Sequence, residues 1–222
     1  LLSCREAIRL ALDRVRQEQV DTCWMDAGRL LEPEWAHCGD AEWAGGTIMK
    51  CGYRALIKAS PQDVWKPVTR IGGNTGWYFG DFLWRLRGAM DRMVGGVGLR
   101  RGRRHPVELG VGDALDFWRV LELDPPNRLL LVAEMKTPGE ALLEIRITEN
   151  KSGQTELQML SRFVPKGLFG ILYWYGLYPF HQWIFSGMLR WMAKSIGKPI
   201  ITGPERFTPK ISRTCALPSN EV

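Results

Sequence analysis

The side chains of this 222-residue chain that could do chemistry are one histidine, four clustered arginines, a few carboxylates and a set of aromatic rings. His181, inside YPFHQWIF, has the ring of a general base. No Ser, Cys or Asp stands at a spacing that identifies its partner, so it reads first as a hydrogen-bonded core or pocket residue. Arg100, Arg101, Arg103 and Arg104 follow the glycines of VGGVG. Such planar guanidinium groups suit a phosphate or carboxylate clamp, and equally a solvated basic edge or a docking surface. From Arg85 to Arg104 seven Arg face one Asp, an excess that equals the net charge of +6 of the whole chain. This stretch is the electrostatic focus and draws anions. Aromatic rings do not interleave with these arginines, which argues against nucleic acid as a partner.

Asp116, Glu134, Glu144 and Gln158 recur on strand-like segments. They read either as cavity carboxylates or, more simply, as the charged outer face of a sheet. Arg87 and Asp91, four residues apart, read as a pair on a helix surface. The five cysteines (Cys4, Cys23, Cys38, Cys51, Cys215) are widely spaced and never form C-x-x-C. That pattern argues against a disulfide framework or a zinc ribbon and for free thiols in a reducing compartment, with no metal bound.

The elements that must position these groups follow from periodicity. LLSCREAIRLALDRV opens the chain with helical spacing, Ser3 as cap and Glu6 as its capping-box partner. There is no initiator Met and no export signal, so the chain reads as part of something longer, with residues 1–46 a remnant and connector. TIMKCGYRALIKAS reads as a strand, and Ser60-Pro61 starts a helix that ends near Gly72-Gly73. After the turn GGNTGWY a second helix runs to Gly95-Gly96. DALDFWRVLEL, RLLLVAEMK, ALLEIRITE and TELQMLSRF then alternate with period two and are joined by short turns, the mark of an antiparallel meander.

Residues 167–189 follow without one Asp, Glu, Lys or Arg. They read as a long helix, reaching about Ser195 and kinked at Pro179, that covers the open sheet face. Polar groups near its centre argue against a bilayer span. The tail, 196–222, is broken by Pro and Gly and reads as loosely ordered. The expected fold is α+β of the helix-grip type, a curved antiparallel sheet around a long C-terminal helix, over residues 47–195.

The segments IGGNTGWYFGDFLWRLRGAMDRMVGGVGLRRGRRHP, VGDALDFWRV, AEMKTPG and LYWYGLYPFHQWIF, spread from about Trp43 to about Lys194, resemble a bacterial family of unknown function. Its members lie C-terminal to NAD(P)-binding domains of the short-chain dehydrogenase type and belong to the SRPBCC (START-like) helix-grip superfamily. SCREAIRLAL resembles the closing helix of such a dehydrogenase-like domain. The resemblance implies a hydrophobic ligand cavity between sheet and last helix, and an NAD(P)-binding partner domain upstream. No G-x-x-G-x-x-G follows a first strand here, and Gly72 to Gly76 lie between helices, so no NAD(P) is expected on these residues themselves.

Two further readings stand beside the ligand binder. One is an interaction module docking its aromatic helix and arginines onto a partner or an anionic membrane, in the cytoplasm or peripheral to the inner membrane. The other is an enzyme using His181 and strand carboxylates. For the pocket, the rings named are Trp77 and Tyr78 after the Gly-rich turn, Trp84 on the second helix and Trp118 on the first meander strand. Tyr173, Trp174 and His181 join them from the last helix, Tyr173 and His181 being nearly two turns apart. An aromatic box with a polar end is the usual makeup of a small-molecule site, and a filled core uses the same residues.

Overall fold

The computed structural model describes residues 3–16, 48–98 and 103–208. Arg100, Arg101, the connector through Trp43 and the tail beyond 208 lie outside the described residues. Helix α1 spans Cys4–Arg16. The Ser3 backbone N–H donates to Glu6 Oε2 at 2.9 Å and Glu6 N–H donates to Ser3 Oγ at 3.3 Å. This is the reciprocal capping box that Ser3 and Glu6 predict. Strand β1 is Met49–Ile57, followed by α2 (Pro61–Thr69) and α3 (Asp81–Met93). Asp63 N–H donates to Ser60 Oγ at 3.2 Å, and Pro61 fills the first helical position, where its missing N–H costs nothing.

The meander comprises β2 (Ala114–Leu115), β3 (Trp118–Asp124), β4 (Arg128–Ala133), β5 (Gly139–Glu149) and β6 (Thr155–Pro165). Helix α4 (Gly167–Ser195) and strand β7 (Ile200–Phe207) complete the described chain. The seven strands form one antiparallel sheet in the order β2-β3-β4-β5-β6-β1-β7. With α4 as its long C-terminal helix, this is the α+β helix-grip architecture.

Period two sorts the strands. Tyr53, Ile57, Leu131, Ile145, Leu157 and Met159 point to one face and are buried together with Val64 and Val68 of α2. Ile184, Phe185, Met188, Leu189 and Met192 of α4 close over them. Each such side chain contributes about 1.5–3 kcal/mol when fully withdrawn from water. All five covering residues come from the second half of α4. In its first half Leu168, Phe169, Leu172 and Tyr175 stay exposed. The helix runs through Pro179, and among the described residues no helix is long and apolar enough to cross a membrane.

Three features differ from what the sequence predicts. Residues 200–207 are not loose: β7 pairs with β1, with register shifts around Leu56 that accommodate its glycine and proline. The first meander strand is broken in two at Asp116, which adopts φ 56° in the hairpin between β2 and β3. Asp tolerates that left-handed conformation better than most residues. The third difference concerns Arg87 and Asp91, which do approach to 3.9 Å, but not at the surface.

Asp91 is fully buried. Its Oδ2 accepts from Gly98 N–H at 2.8 Å and its Oδ1 from Lys136 N–H at 2.7 Å. A Cβ on Gly96 would lie 2.3 Å from that carboxylate, so only glycine lets the turn close around it. Arg87 completes the knot, donating to Lys136 O at 3.2 Å and to the Tyr173 hydroxyl at 3.3 Å. One carboxylate thereby joins the end of α3, the turn after it and the β4–β5 link. Asp91→Ala should cost roughly 3 kcal/mol, because it leaves two buried N–H donors unmet. Urea unfolding measures this, and a loss below about 1 kcal/mol would show the pair to be superficial after all.

Candidate functional site

Of the rings expected to converge, Trp77, Trp84 and Trp118 do meet. Gly72, Gly73 and Gly76 all have positive φ, and Gly72 N–H donates to Gly76 O at 2.8 Å. That tight loop turns Trp77 inward until it is 1% exposed. Trp77 stacks on Trp84 at 4.8 Å and lies 6.3 Å from Trp118. Phe117, which the sequence reading passed over, fills the remaining side at 5.8 Å from both Trp84 and Trp118. Trp77 Nε1 donates to Asp116 Oδ2 at 2.8 Å, so the carboxylate in the β2–β3 hairpin fixes the indole orientation. Asp116 is therefore a buried acceptor and not part of a charged outer face. Trp84 Nε1 donates to Phe79 O at 3.1 Å.

A second aromatic group forms on α4. Trp174 stacks on Phe163 of β6 at 5.7 Å and lies 5.2 Å from His181. Tyr173 contacts the same Phe163 at 5.8 Å. The His181 ring stacks on Phe185 at 5.5 Å. Surrounded by these rings, His181 is held neutral: burial pushes its pKa down to about 4. Arg87 links the two groups, reaching from α3 to the Tyr173 hydroxyl. Tyr78 belongs to neither. Its φ is 63° and its hydroxyl donates to Pro67 O at 3.0 Å, on the opposite side of the turn.

Two polar atoms in these groups are buried and meet no hydrogen-bond partner among the described residues: Trp118 Nε1 and His181 Nδ1. Native interiors rarely leave such atoms unmet. The neighbouring indoles of Trp77 and Trp84 are both satisfied, which sets Trp118 apart.

The described arginines of the basic turn are turned to structural use. Arg103 donates to Ile71 O at 2.6 Å, Thr69 O at 2.7 Å and His105 O at 2.9 Å, tying the turn to the end of α2. Arg104 pairs with Asp113 at 3.1 Å. Arg103 is buried and Arg104 is partly exposed.

The strand carboxylates are likewise engaged. Glu134 pairs with Arg119 at 2.6 Å, and Gln158 donates to Glu156. Glu144, buried, contacts Arg128, Arg146 and Arg162 at 2.9, 2.7 and 3.2 Å. Burial pushes its carboxyl up, and the three guanidinium groups overcome this to hold it below the usual carboxylate range. Cys51 is a buried free thiol that burial pushes up to about 11, which makes it inert. Among the described residues no group of three His, Cys, Asp or Glu is placed to hold a metal ion.

A polar cleft of about 480 Å³ lies where α2 and α4 end, lined by Lys66, Arg70, Tyr78, Ser195 and Lys198 among others. Its cations face two helix C-termini, whose partial negative charge accounts for them.

Comparison with solved structures finds likenesses at low identity. CalU16 from Micromonospora echinospora is 14% identical, with 68% of this chain and 92% of that chain covered at a TM-score of 0.33. An Hsp90 activator from Plasmodium falciparum is 12% identical over 70% and 98%, at 0.36. A norcoclaurine synthase point mutant from Thalictrum flavum is 10% identical over 68% and 96%, at 0.41. Comparison with curated proteins finds no match. Residues 43–188, from before β1 into the second half of α4, match the family described as Protein of unknown function (DUF2867), and the chain belongs to that family.

Proposed function

We propose that the interior between the sheet and α4 binds a neutral hydrophobic or amphipathic small molecule. The observation that carries this reading is the pair of unmet buried atoms, Trp118 Nε1 and His181 Nδ1. An unsatisfied buried polar group costs about 1–3 kcal/mol, and a ligand that supplies the missing partner recovers it. Apolar walls with a few orienting polar atoms are the makeup of such sites. The walls here are Trp77, Trp84, Phe117, Tyr173, Trp174 and Phe185.

Because His181 is held neutral, its imidazole offers one donor and one acceptor and no charge. A neutral carbonyl, hydroxyl or ester therefore suits it better than a carboxylate. Indole Nε1 only donates, so the group placed against Trp118 is an acceptor. In a longer protein, the module would hold the substrate of an adjoining NAD(P)-dependent reductase, the arrangement implied by the family resemblance. Acid–base catalysis by His181 finds no support in a ring whose neighbours are Trp174 and Phe185.

Native mass spectrometry of protein purified without detergent, with titration of an apolar fluorescent probe, tests the reading. Trp118→Phe and His181→Phe keep a ring in place and remove the unmet atom. Each should leave stability within about 1 kcal/mol of the parent and weaken binding of a carbonyl-bearing ligand about tenfold. No retained ligand, no probe uptake, and a loss of roughly 3–5 kcal/mol on Trp118→Ala would decide for a filled core.

The His181 environment also predicts a pH dependence. The folded-state pKa of about 4 lies below the ordinary 6.5, so the unfolded chain binds the proton first as pH falls. Stability from this group is complete above about pH 6.5 and is lost as pH falls toward 4, by up to about 3 kcal/mol. Urea unfolding at about pH 7 and about pH 5 should show the slope in the parent, and His181→Phe should flatten it. An equal slope in the variant would assign the effect to other groups.

A further inference from the structure

We propose that the outward faces of α3 and α4 form one surface that seats on an anionic lipid bilayer. This is independent of the interior site, because it rests on side chains that point away from it.

The two helices run antiparallel and meet through side chains. At one end both are tied to the β4–β5 link: Lys136 N–H donates to Asp91 of α3, and Lys166 N–H, beside the start of α4, donates to Pro138 O at 2.8 Å. At the other end Phe82 of α3 lies 6.4 Å from Trp183 of α4, ring centre to ring centre. Helix α3 has 13 residues, which gives the shared face a length of about 20 Å.

That face is apolar and open. Met93 is 79% exposed, Phe169 81%, Tyr175 65%, Phe82 62%, Leu172 59% and Leu86 55%. On α3 the exposed residues Phe82, Leu86 and Met90 follow a spacing of four, which is one continuous stripe. Monomeric soluble proteins rarely leave so large a contiguous apolar area in water unless it meets something.

The charges choose the occupant. Helix α4 carries none between Gly167 and Leu189. The exposed charged side chains on the two helices are Arg85, Arg92, Arg190 and Lys194 against the single acid Asp81. The Asp81 carboxylate already accepts from Trp77 N–H at 3.1 Å, and Asp91 is buried. An apolar surface holding Trp and Tyr and edged by cations is the pattern of a segment lying in a bilayer interface. Long Arg and Lys side chains there reach up to lipid phosphates while the rings and Met side chains enter the acyl boundary. No described helix is long and apolar enough to cross a membrane, so contact is from one side.

Co-sedimentation of the 222-residue protein with vesicles tests this. The parent should bind vesicles of phosphatidylcholine mixed with phosphatidylglycerol, and bind pure phosphatidylcholine about tenfold more weakly. Added salt should weaken the first. Met93→Glu with Phe169→Glu alters two well exposed side chains, so the fold, checked by circular dichroism, should persist while binding falls at least about tenfold. Arg85→Glu with Arg190→Glu should remove the preference for the anionic vesicles. Absence of binding by the parent, or equal binding by the Met93→Glu/Phe169→Glu variant, overturns the proposal. Self-association of the parent without vesicles, abolished by that same variant, would assign the face to a second copy and likewise overturn it.

Discussion

The fold depends on one burial constraint: the inner sheet face must be sealed by a helix arriving from a single end. Half of α4 meets it. Ile184, Phe185, Met188, Leu189 and Met192 pack on β1 and β6, and Gly187 lets Phe79 lie so close that a Cβ there would stand 2.2 Å from its ring. In the first half only one side packs on the sheet, through Trp174 and Tyr173 against Phe163 of β6, and the other side stays exposed. This half is held by aromatic contacts at Trp174 and by Gly170, which rests directly against Pro138 and Pro165. One helix thereby serves two surroundings, a buried interior and an open apolar exterior.

Buried polarity is handled by a consistent device. Backbone or indole N–H groups are brought to a carboxylate that no solvent reaches: Asp91 receives Gly98 and Lys136, and Asp116 receives Trp77. The bonds from Lys136 and Trp77 span distant parts of the chain, and each of the three would be costly to leave half made. Against that background Trp118 and His181 stand out, since the same interior leaves their nitrogens unmet. The proposal of a binding interior rests on this contrast between met and unmet atoms more than on the abundance of rings.

Much of the fold was legible because periodicity reports burial directly. The alternation of Cys51, Tyr53, Ala55 and Ile57, the Ser60-Pro61 start and the turns between β3 and β6 all have local causes. What was not legible had causes remote in sequence. Asp116 looked like part of a strand because its bend is fixed by Trp77, 39 residues away. Asp91 looked like half of a surface pair because Lys136, its strongest claim to burial, is 45 residues on. Arg103 read as part of an anion clamp, a solvated basic edge or a docking surface, because the carbonyls it meets belong to the far end of α2. From sequence Trp77, Tyr78, Trp84, Trp118, Tyr173, Trp174 and His181 read as one aromatic box, whereas the structure places Trp77, Trp84 and Trp118 in one group, Tyr173, Trp174 and His181 in another, and Tyr78 in neither. Phe117, Phe163 and Phe185 were missed, although Phe185 sits one helical turn after His181.

Strand β7 has a consequence for what the sheet can recruit. By pairing with β1 it takes the outer position on one side, where Pro204 offers no backbone donor and Glu205 and Arg206 add charge. On the other side β2 is only two residues long. A sheet with one very short border and one interrupted by proline gives an incoming strand little to hold, which guards against uncontrolled edge-to-edge growth. Among the described residues, neither border of the sheet offers a long regular edge to an incoming strand.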